Sequence, residues 1–309
     1  MQDLEIILVN PRGFCAGVTR ALDIVDKSLQ KYNKQIFIRN EIVHNKNVVN
    51  NLKQKGITFV KNIEEIPTDA LAIFSAHGVS SEVENIANKK NLHFIDATCP
   101  LVKKVHQDAI LYDKQGYQII LIGHQNHPEI EGTAGRVSKS YLVENVNDVE
   151  QLSLNPNLPI AYITQTTLSL DDTKDIIEAL KHKYPNIIEP KAQNICYATQ
   201  NRQNAVKNII KDIECLIVVG SQNSSNSNRL KEIGIKNNIP SFLVDSPDDL
   251  PLDILKNISI VGISAGASAP SESIDSIINE IKKHRNIKIT HKEVIKEDVV
   301  FHLPKELRN

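Results

Sequence analysis

Three of the four cysteines in this 309-residue chain stand where a thiolate could do chemistry. Cys15, Cys99 and Cys196 each open a helix-like stretch: FCAGVTRALDIVDKSL, TCPLVKKVHQDAILYDK and ICYATQNRQNAVKNII. A helix N-terminus stabilises the thiolate, which is the form that binds metal. Three thiolates gathered at one place repel one another unless a metal neutralises them. No CxxC occurs, which excludes a zinc ribbon and a ferredoxin-type run. Three dispersed cysteines suit an iron–sulfur cluster in which one iron lacks a protein ligand and can act as a Lewis acid. On spacing alone, a three-cysteine zinc site and a single nucleophilic thiol stay open. Cys215 lies inside the apolar run CLIVVG and reads as a small buried hydrophobe.

The second set of reactive residues clusters in loops. In parallel α/β sheets, ligands bind beyond the carboxyl ends of the strands, where helix N-termini offer unpaired N–H groups. His44 in EIVHNKNVV, His77 in SAHGVS, and His124 and His127 in GHQNHPE occupy such positions. Imidazole supplies donors there and becomes cationic beside a phosphate. His93, His106, His182, His284, His291 and His302 read as surface or satisfied core residues. Gln165-Thr166-Thr167, Asn223-Ser224-Ser225-Asn226 and Ser268 in GISAGASAP add hydroxyls and amides. Each of these suits a helix N-cap, and together SQNSSN and SAGASAP read as anion nests for phosphate oxygens. Neither GK[ST] nor GxGxxG is present, so nucleotide binding has no support. Glu129 is the acidic residue in the middle of these loops. Beside a cluster and an anion its pKa would rise, making it a proton donor at neutral pH, with Glu131 as its competitor.

The elements that must position these groups are short β-branched runs separated by amphipathic stretches. EIILVN (5–10), QIFIR (35–39), ALAIFSA (70–76), LHFIDA (92–97), QIILIG (118–123), IAYIT (160–164), CLIVVG (215–220), SFLVD (241–245) and SIVGIS (259–264) read as strands. Near-continuous apolar strands alternating with helices imply parallel sheets covered on both faces, an α/β fold. The cysteine-plus-helix segments recur at about the length of a small α/β lobe, which predicts three related lobes around a pseudo-threefold axis. The expected boundaries are 17–98, 99–193 and 194–280, the last joined by the N-terminal strand 1–16, with 281–309 as a C-terminal tail. SAHGVSS (75–81), GHQNHPE (123–129) and GSQNSSN (220–226) read as the equivalent loop of each lobe. The stretch Asn155–Pro159 reads as a local turn.

Composition narrows the partners. The 36 basic and 37 acidic residues create no field that would hold a polyanion, so nucleic acid is not expected. The run Lys282-Lys283-His284-Arg285 reads as a solvated helix end. No apolar run reaches the roughly 18 residues of a membrane span, so no membrane partner is expected. The opening residues lead straight into a strand and lack the marks of a secretory leader, so a cytoplasmic chain is expected. Four scattered cysteines are too few for a disulfide framework.

NPRGFCAGV, EIVHN, FSAHGVS, DATCPLV, GHQNHPEIEGT, TQTTLS, ICYATQNRQ, GSQNSSNSNRL and SAGASAP, in this order, resemble the 4-hydroxy-3-methylbut-2-enyl diphosphate reductases, terminal enzymes of the non-mevalonate isoprenoid pathway. The likeness runs from Asn10 to about Leu307; GHQNHPE departs from the GHAGHPE-like form only between its two histidines. The resemblance implies a trefoil of α/β lobes around a central 4Fe–4S cluster held by Cys15, Cys99 and Cys196. It implies a diphosphate-binding set of His44, His77, His127, Ser224, Ser225, Asn226 and Ser268. Thr166 resembles the residue that meets the substrate hydroxyl and Glu129 the proton donor, while Cys215 matches no ligand position. The reaction so implied is a two-electron reductive dehydroxylation giving isopentenyl and dimethylallyl diphosphate, with an electron donor such as ferredoxin or flavodoxin. A non-catalytic redox sensor would explain the cysteines but leave the SSN, SAGASAP and HPE loops without purpose.

Overall fold

In the computed structural model, which describes residues 3–190 and 194–308, all nine expected runs are strands. Twelve strands form among the described residues: β1 (Leu4–Asn10), β2 (Ile36–Arg39), β3 (Thr58–Val60), β4 (Leu71–Phe74), β5 (His93–Asp96), β6 (Gln118–Ile122), β7 (Ser140–Val143), β8 (Ile160–Thr164), β9 (Cys215–Val219), β10 (Ser241–Val244), β11 (Ile260–Ala265) and β12 (Ile287–Glu293). They make three sheets, ordered β3-β2-β4-β5, β7-β6-β8 and β10-β9-β11-β1-β12, and every pairing is parallel. Parallel neighbours need crossovers, and helices supply them. The fold is α/β with three parallel sheets.

The described chain divides into two compact units. One holds the described residues of Met1–Val18, His44–Asn51 and Tyr197–Val300, with the five-stranded sheet. The other holds those of Thr19–Val43, Leu52–Cys196 and Phe301–Asn309, with the two smaller sheets. The expected lobe boundary at 193 falls outside the described residues.

In the first unit, alternation along the strands feeds two cores. Leu4, Ile6 and Leu8 of β1 join Ile217 and Val219 of β9 against Ile274, Ile277, Ile278 and Ile281 of the helix Ser271–His284. Ile7 and Val9, with Leu216 and Val218, face Ala205, Val206 and Ile209 of the helix Tyr197–Ile209, and Leu230 and Ile233 of the helix Ser225–Lys236. Burial on both faces is why these strands read as unbroken apolar runs. In the second unit, Ile120 and Ile122 pack on Ile176 and Leu180 of the helix Leu170–Lys183. Ile119 and Leu121 pack on Val105, Ala109 and Tyr112 of the helix Pro100–Lys114. Phe37, Ala72 and Phe74 of the four-stranded sheet pack with Ile63, Ile66 and Ala87.

The structure departs from the sequence reading in three places. The strands β3, β7 and β12 were not anticipated, and each is a sheet edge. Edge strands meet solvent, so polar residues interrupt the apolar signal, as Lys288, Thr290 and Lys292 do in β12. Residues 281–309 are therefore not a tail throughout: the helix Ser271–His284 runs into them and β12 pairs with β1 along its whole length. The equivalence of the loops also changes. β2, β6 and β9 hold matching places in their sheets, with β3, β7 and β10 on one side and β4, β8 and β11 on the other. The loop matching GHQNHPE and GSQNSSN is thus EIVHN after β2, whereas SAHGVSS follows β4. A polar strand end looks alike after any strand, so local sequence could not say which position in the sheet it followed.

The true correspondence places the cysteines. Cys99 comes after β5, the neighbour of β4, and Cys15 after β1, the neighbour of β11. Cys196 comes after Ile188, which makes an isolated parallel bridge to Ala161 of β8.

Candidate active site

Each candidate cysteine is half-buried and is tied down by its own N–H. Cys15 donates to the carbonyl of Ala267 at 3.2 Å, Cys99 to Ala76 at 3.0 Å and Cys196 to Thr166 at 3.0 Å. The acceptor is in every case the second residue past a strand, respectively β11, β4 and β8. Sheet position thus explains why three segments far apart in sequence look alike. Cys99 caps the helix Pro100–Lys114, whose first residue is Pro, the residue type preorganised for that position. Cys215 is fully buried in β9, where burial pushes its thiol up to about 12. Such a thiol is a packing group.

In the second unit, Glu129 has a 2% exposed side chain on the first turn of the helix Pro128–Ala134. Burial raises its carboxyl to about 7, against the opposing pull of two hydrogen bonds from Thr166. The Thr166 N–H donates to Oε1 at 2.7 Å and its hydroxyl to Oε2 at 2.8 Å. Thr166 therefore gives both donors to Glu129 while its carbonyl takes the N–H of Cys196. Glu131, by contrast, is exposed.

His127 caps the same helix, its Nδ1 accepting the Glu129 N–H at 3.2 Å. The His77 ring stands edge-on to it, 5.9 Å between centroids at 86°. His77 follows Ala76, the anchor of Cys99, so this unit gathers two histidines, a protonatable acid and two cysteine loops. His124 turns elsewhere: its Nδ1 lies 3.7 Å from Glu144 and its N–H donates to Gln165. His106 is buried beneath the site, held down to about 4 by burial and then by Arg136. Its ring packs on Gly78, which has φ +83°; a Cβ there would lie 2.6 Å from Cε1. Only glycine suits that turn.

In the first unit, Ser224 caps the helix Ser225–Lys236 and accepts from the Ser227 N–H at 3.3 Å and its hydroxyl at 3.0 Å. Neither bond uses the Ser224 proton. Asn226, 4% exposed, accepts the Ala267 N–H on Oδ1 at 3.1 Å. Its Nδ2 is buried and meets no acceptor among the described residues. A buried amide with unused donors costs free energy and suits an acceptor-rich ligand. Ser268 donates its hydroxyl to the His44 carbonyl at 2.8 Å, so it fixes the His44 backbone. Asn223 lies 3.5 Å from His44 Nδ1. A twelve-residue helix begins among these donors, so its first N–H groups and the positive end of its dipole lie beside them.

The family model described as LytB protein matches residues 6–282. The chain belongs to the LytB protein family. This LytB chain is 50% identical to the 4-hydroxy-3-methylbut-2-enyl diphosphate reductase of Francisella tularensis subsp. tularensis (strain WY96-3418), over 99% of its own length and 97% of the relative's. It is 49% identical to the reductase of that name from Francisella philomiragia subsp. philomiragia, over 99% and 98%. Among solved structures it superposes on the E-1-hydroxy-2-methyl-but-2-enyl-4-diphosphate reductase from Plasmodium falciparum with a TM-score of 0.95, 38% identity and 99% and 97% coverage. A second, described as (E)-4-hydroxy-3-methyl-but-2-enyl diphosphate reductase, the terminal enzyme of the non-mevalonate pathway, gives 0.65 with 31% identity, over 91% and 99%.

Among the described residues of the LytB chain, no three His, Cys, Asp or Glu side chains are gathered as a single-ion site. Cys15, Cys99 and Cys196 each offer a half-buried thiol at a helix head with its own N–H held by a carbonyl, the donor chemistry that an iron–sulfur cluster takes. Sequence reasoning missed two buried arginines that grip the cysteine loops, Arg20 and Arg202. Their signal was available as an arginine on the inner face of a helix, five or six residues past a cysteine. No helix of the described chain is long and apolar enough to cross a membrane.

Proposed function

We propose that this chain is a 4-hydroxy-3-methylbut-2-enyl diphosphate reductase. The substrate's allylic C–O bond breaks, two electrons and two protons are taken up, water leaves, and the product is isopentenyl or dimethylallyl diphosphate. Cys15, Cys99 and Cys196 are the ligands of a 4Fe–4S cluster in this reading. When bound, the cluster supplies the electrons and, at an iron without a protein ligand, Lewis acidity.

The chain's own residues do the rest. His44, His77, His127, Ser224, Ser225, Asn226 and Ser268 bind the diphosphate. Asn226 offers the unused Nδ2–H donors and Ser224 its proton. Ser268 must release the His44 carbonyl to donate to the anion, which makes binding and the setting of His44 one event. Glu129 is the proton donor: with its carboxyl near 7, a large fraction is protonated at neutral pH. Thr166 orients the acid through two bonds and meets the substrate hydroxyl.

One observation carries the reading. Thr166 joins the acid to a cysteine loop through its own three backbone and side-chain groups, so the proton donor and a thiolate are set by the same residue. The reading extends to ferredoxin or flavodoxin as electron donor and to a cytoplasmic location. The test is anaerobic loading with iron and sulfide, followed by addition of the allylic diphosphate and a reduced dye. Dye oxidation that requires the diphosphate and yields both products is the expected result. A loaded chain that oxidises no dye on adding substrate refutes the assignment.

A further inference from the structure

Two buried arginines hold the chain just ahead of two of the proposed cluster ligands. Arg202, 0% exposed, donates Nε and Nη2 to the Gly13 carbonyl at 3.2 and 2.7 Å. Gly13 lies two residues before Cys15. Arg20, 7% exposed, donates Nη1 to the carbonyls of Ala97 and Thr98 at 3.2 and 3.1 Å. Those are the two residues before Cys99. Neither guanidinium spends all its donors there. Arg202 Nη1 pairs with Glu297 at 3.1 Å, and Asn201 bonds the same carboxylate at 3.0 Å. Arg20 Nε donates to the His302 carbonyl at 2.9 Å. Glu297 and His302 belong to one short stretch without regular secondary structure, beyond β12.

We propose that Glu297–His302 is a strap that holds Arg202 and Arg20 against the cysteine loops, making both arginines positioning residues for Cys15 and Cys99. The inference rests on the cluster reading above. A planar guanidinium presents several donors in fixed directions, so one arginine can fix two carbonyls and a third partner together. Lysine keeps the charge but loses that geometry. A ligand's aim is set by the peptide that carries it, and a shell that holds the peptide loosely leaves the thiolate misplaced. The strap completes each fork from outside, which gives this irregular stretch a task that packing alone does not: Val300 within it is 80% exposed.

The full-length chain tests this through R20K, R202K and E297Q, with R285K as the control. Arg285 is likewise buried and grips two carbonyls, Leu255 at 2.7 Å and Ile258 at 2.6 Å, but neither precedes a proposed ligand. Each protein is loaded anaerobically, and iron and sulfide content, the rate of iron release to a chelator, the electron paramagnetic resonance spectrum of the reduced cluster and the melting midpoint are recorded. R20K and R202K should release iron about 10- to 100-fold faster than the parent with an altered spectrum, the range seen for outer-shell changes. E297Q should change in the same direction, and R285K should keep the parent's rate and spectrum even where its midpoint falls as far. Parent-like release from all three test variants overturns the proposal, as does equally fast release from R285K at a matched midpoint. Should R20K or R202K fail to fold, E297Q against R285K decides by the same two outcomes. A parent that takes up no iron instead overturns the cluster reading, and the strap with it.

Discussion

Replacing Glu129 by Gln should make the chain's stability respond to pH in a calculable way. The carboxyl moves from 4.5 to about 7 on folding because burial disfavours its charge. The native state therefore holds a proton that the unfolded state gives up above pH 4.5, so stability falls as pH rises. The contribution is fully present below pH 4.5 and lost once pH passes about 7. A difference of 2.5 pH units between 4.5 and about 7 corresponds to about 3 kcal/mol, at about 1.4 kcal/mol per unit through that window. Gln fills the same space, and the Thr166 hydroxyl can turn to accept from its amide, so the substitution itself costs little at low pH. Denaturant unfolding of the cluster-free parent and variant should then show Glu129→Gln gaining on the parent by about 3 kcal/mol between pH 4 and pH 9. The other titrating groups cancel in the comparison. A stability difference that stays flat across this range would falsify the raised carboxyl and remove the reason to cast Glu129 as an acid at neutral pH. In the loaded enzyme the same change should cut turnover by about 10²- to 10⁴-fold, the usual contribution of a general acid.

Three further outcomes follow from the geometry. Cys15→Ser, Cys99→Ser and Cys196→Ser should each lose most bound iron, while Cys215→Ser, altering a buried thiol of β9, should retain it; equal iron in all four refutes the ligand assignment. Asn226→Ala removes the buried amide with unused donors and should raise KM for the diphosphate about 10- to 100-fold, a charged hydrogen bond being worth about 1.5–3 kcal/mol; an unchanged KM places the anion elsewhere. Gly78→Ala forces a Cβ toward the His106 ring at a positive φ and should cost about 1–3 kcal/mol in unfolding experiments, an effect absent if the turn is lax.

The strands that carry the site were legible in the sequence because both their faces are buried. β1, β9 and β11 read as unbroken apolar runs, and the cysteines and polar loops lie at their ends. The edge β12 was hidden because Lys288, Thr290 and Lys292 interrupt its apolar pattern, while β3 and β7 have only three and four residues to show one. What sequence could not supply was bonding between distant segments. Arg202 reaches Gly13 and Arg20 reaches Ala97 and Thr98, contacts separated by 189, 77 and 78 positions. No local periodicity encodes such pairings. That Glu129 is buried and Glu131 exposed was likewise not legible from their spacing alone: on a short helix, two residues apart means different faces. The unused amide of Asn226 is a negative fact about its surroundings, and only coordinates hold it.

The cysteines are held by peptide carbonyls, and a carbonyl belongs to every residue type. Ala267, Ala76 and Thr166 do the same task with the same atom, so the side chain at that position is left over for other work. Two of the three places carry a methyl group; the third carries a hydroxyl that orients an acid. A joint built from main chain, used three times, can thus carry different side-chain chemistry without being altered. Exchanging the side chain at 76 or 267 is therefore a matter of available space, whereas at 166 it is a matter of protons.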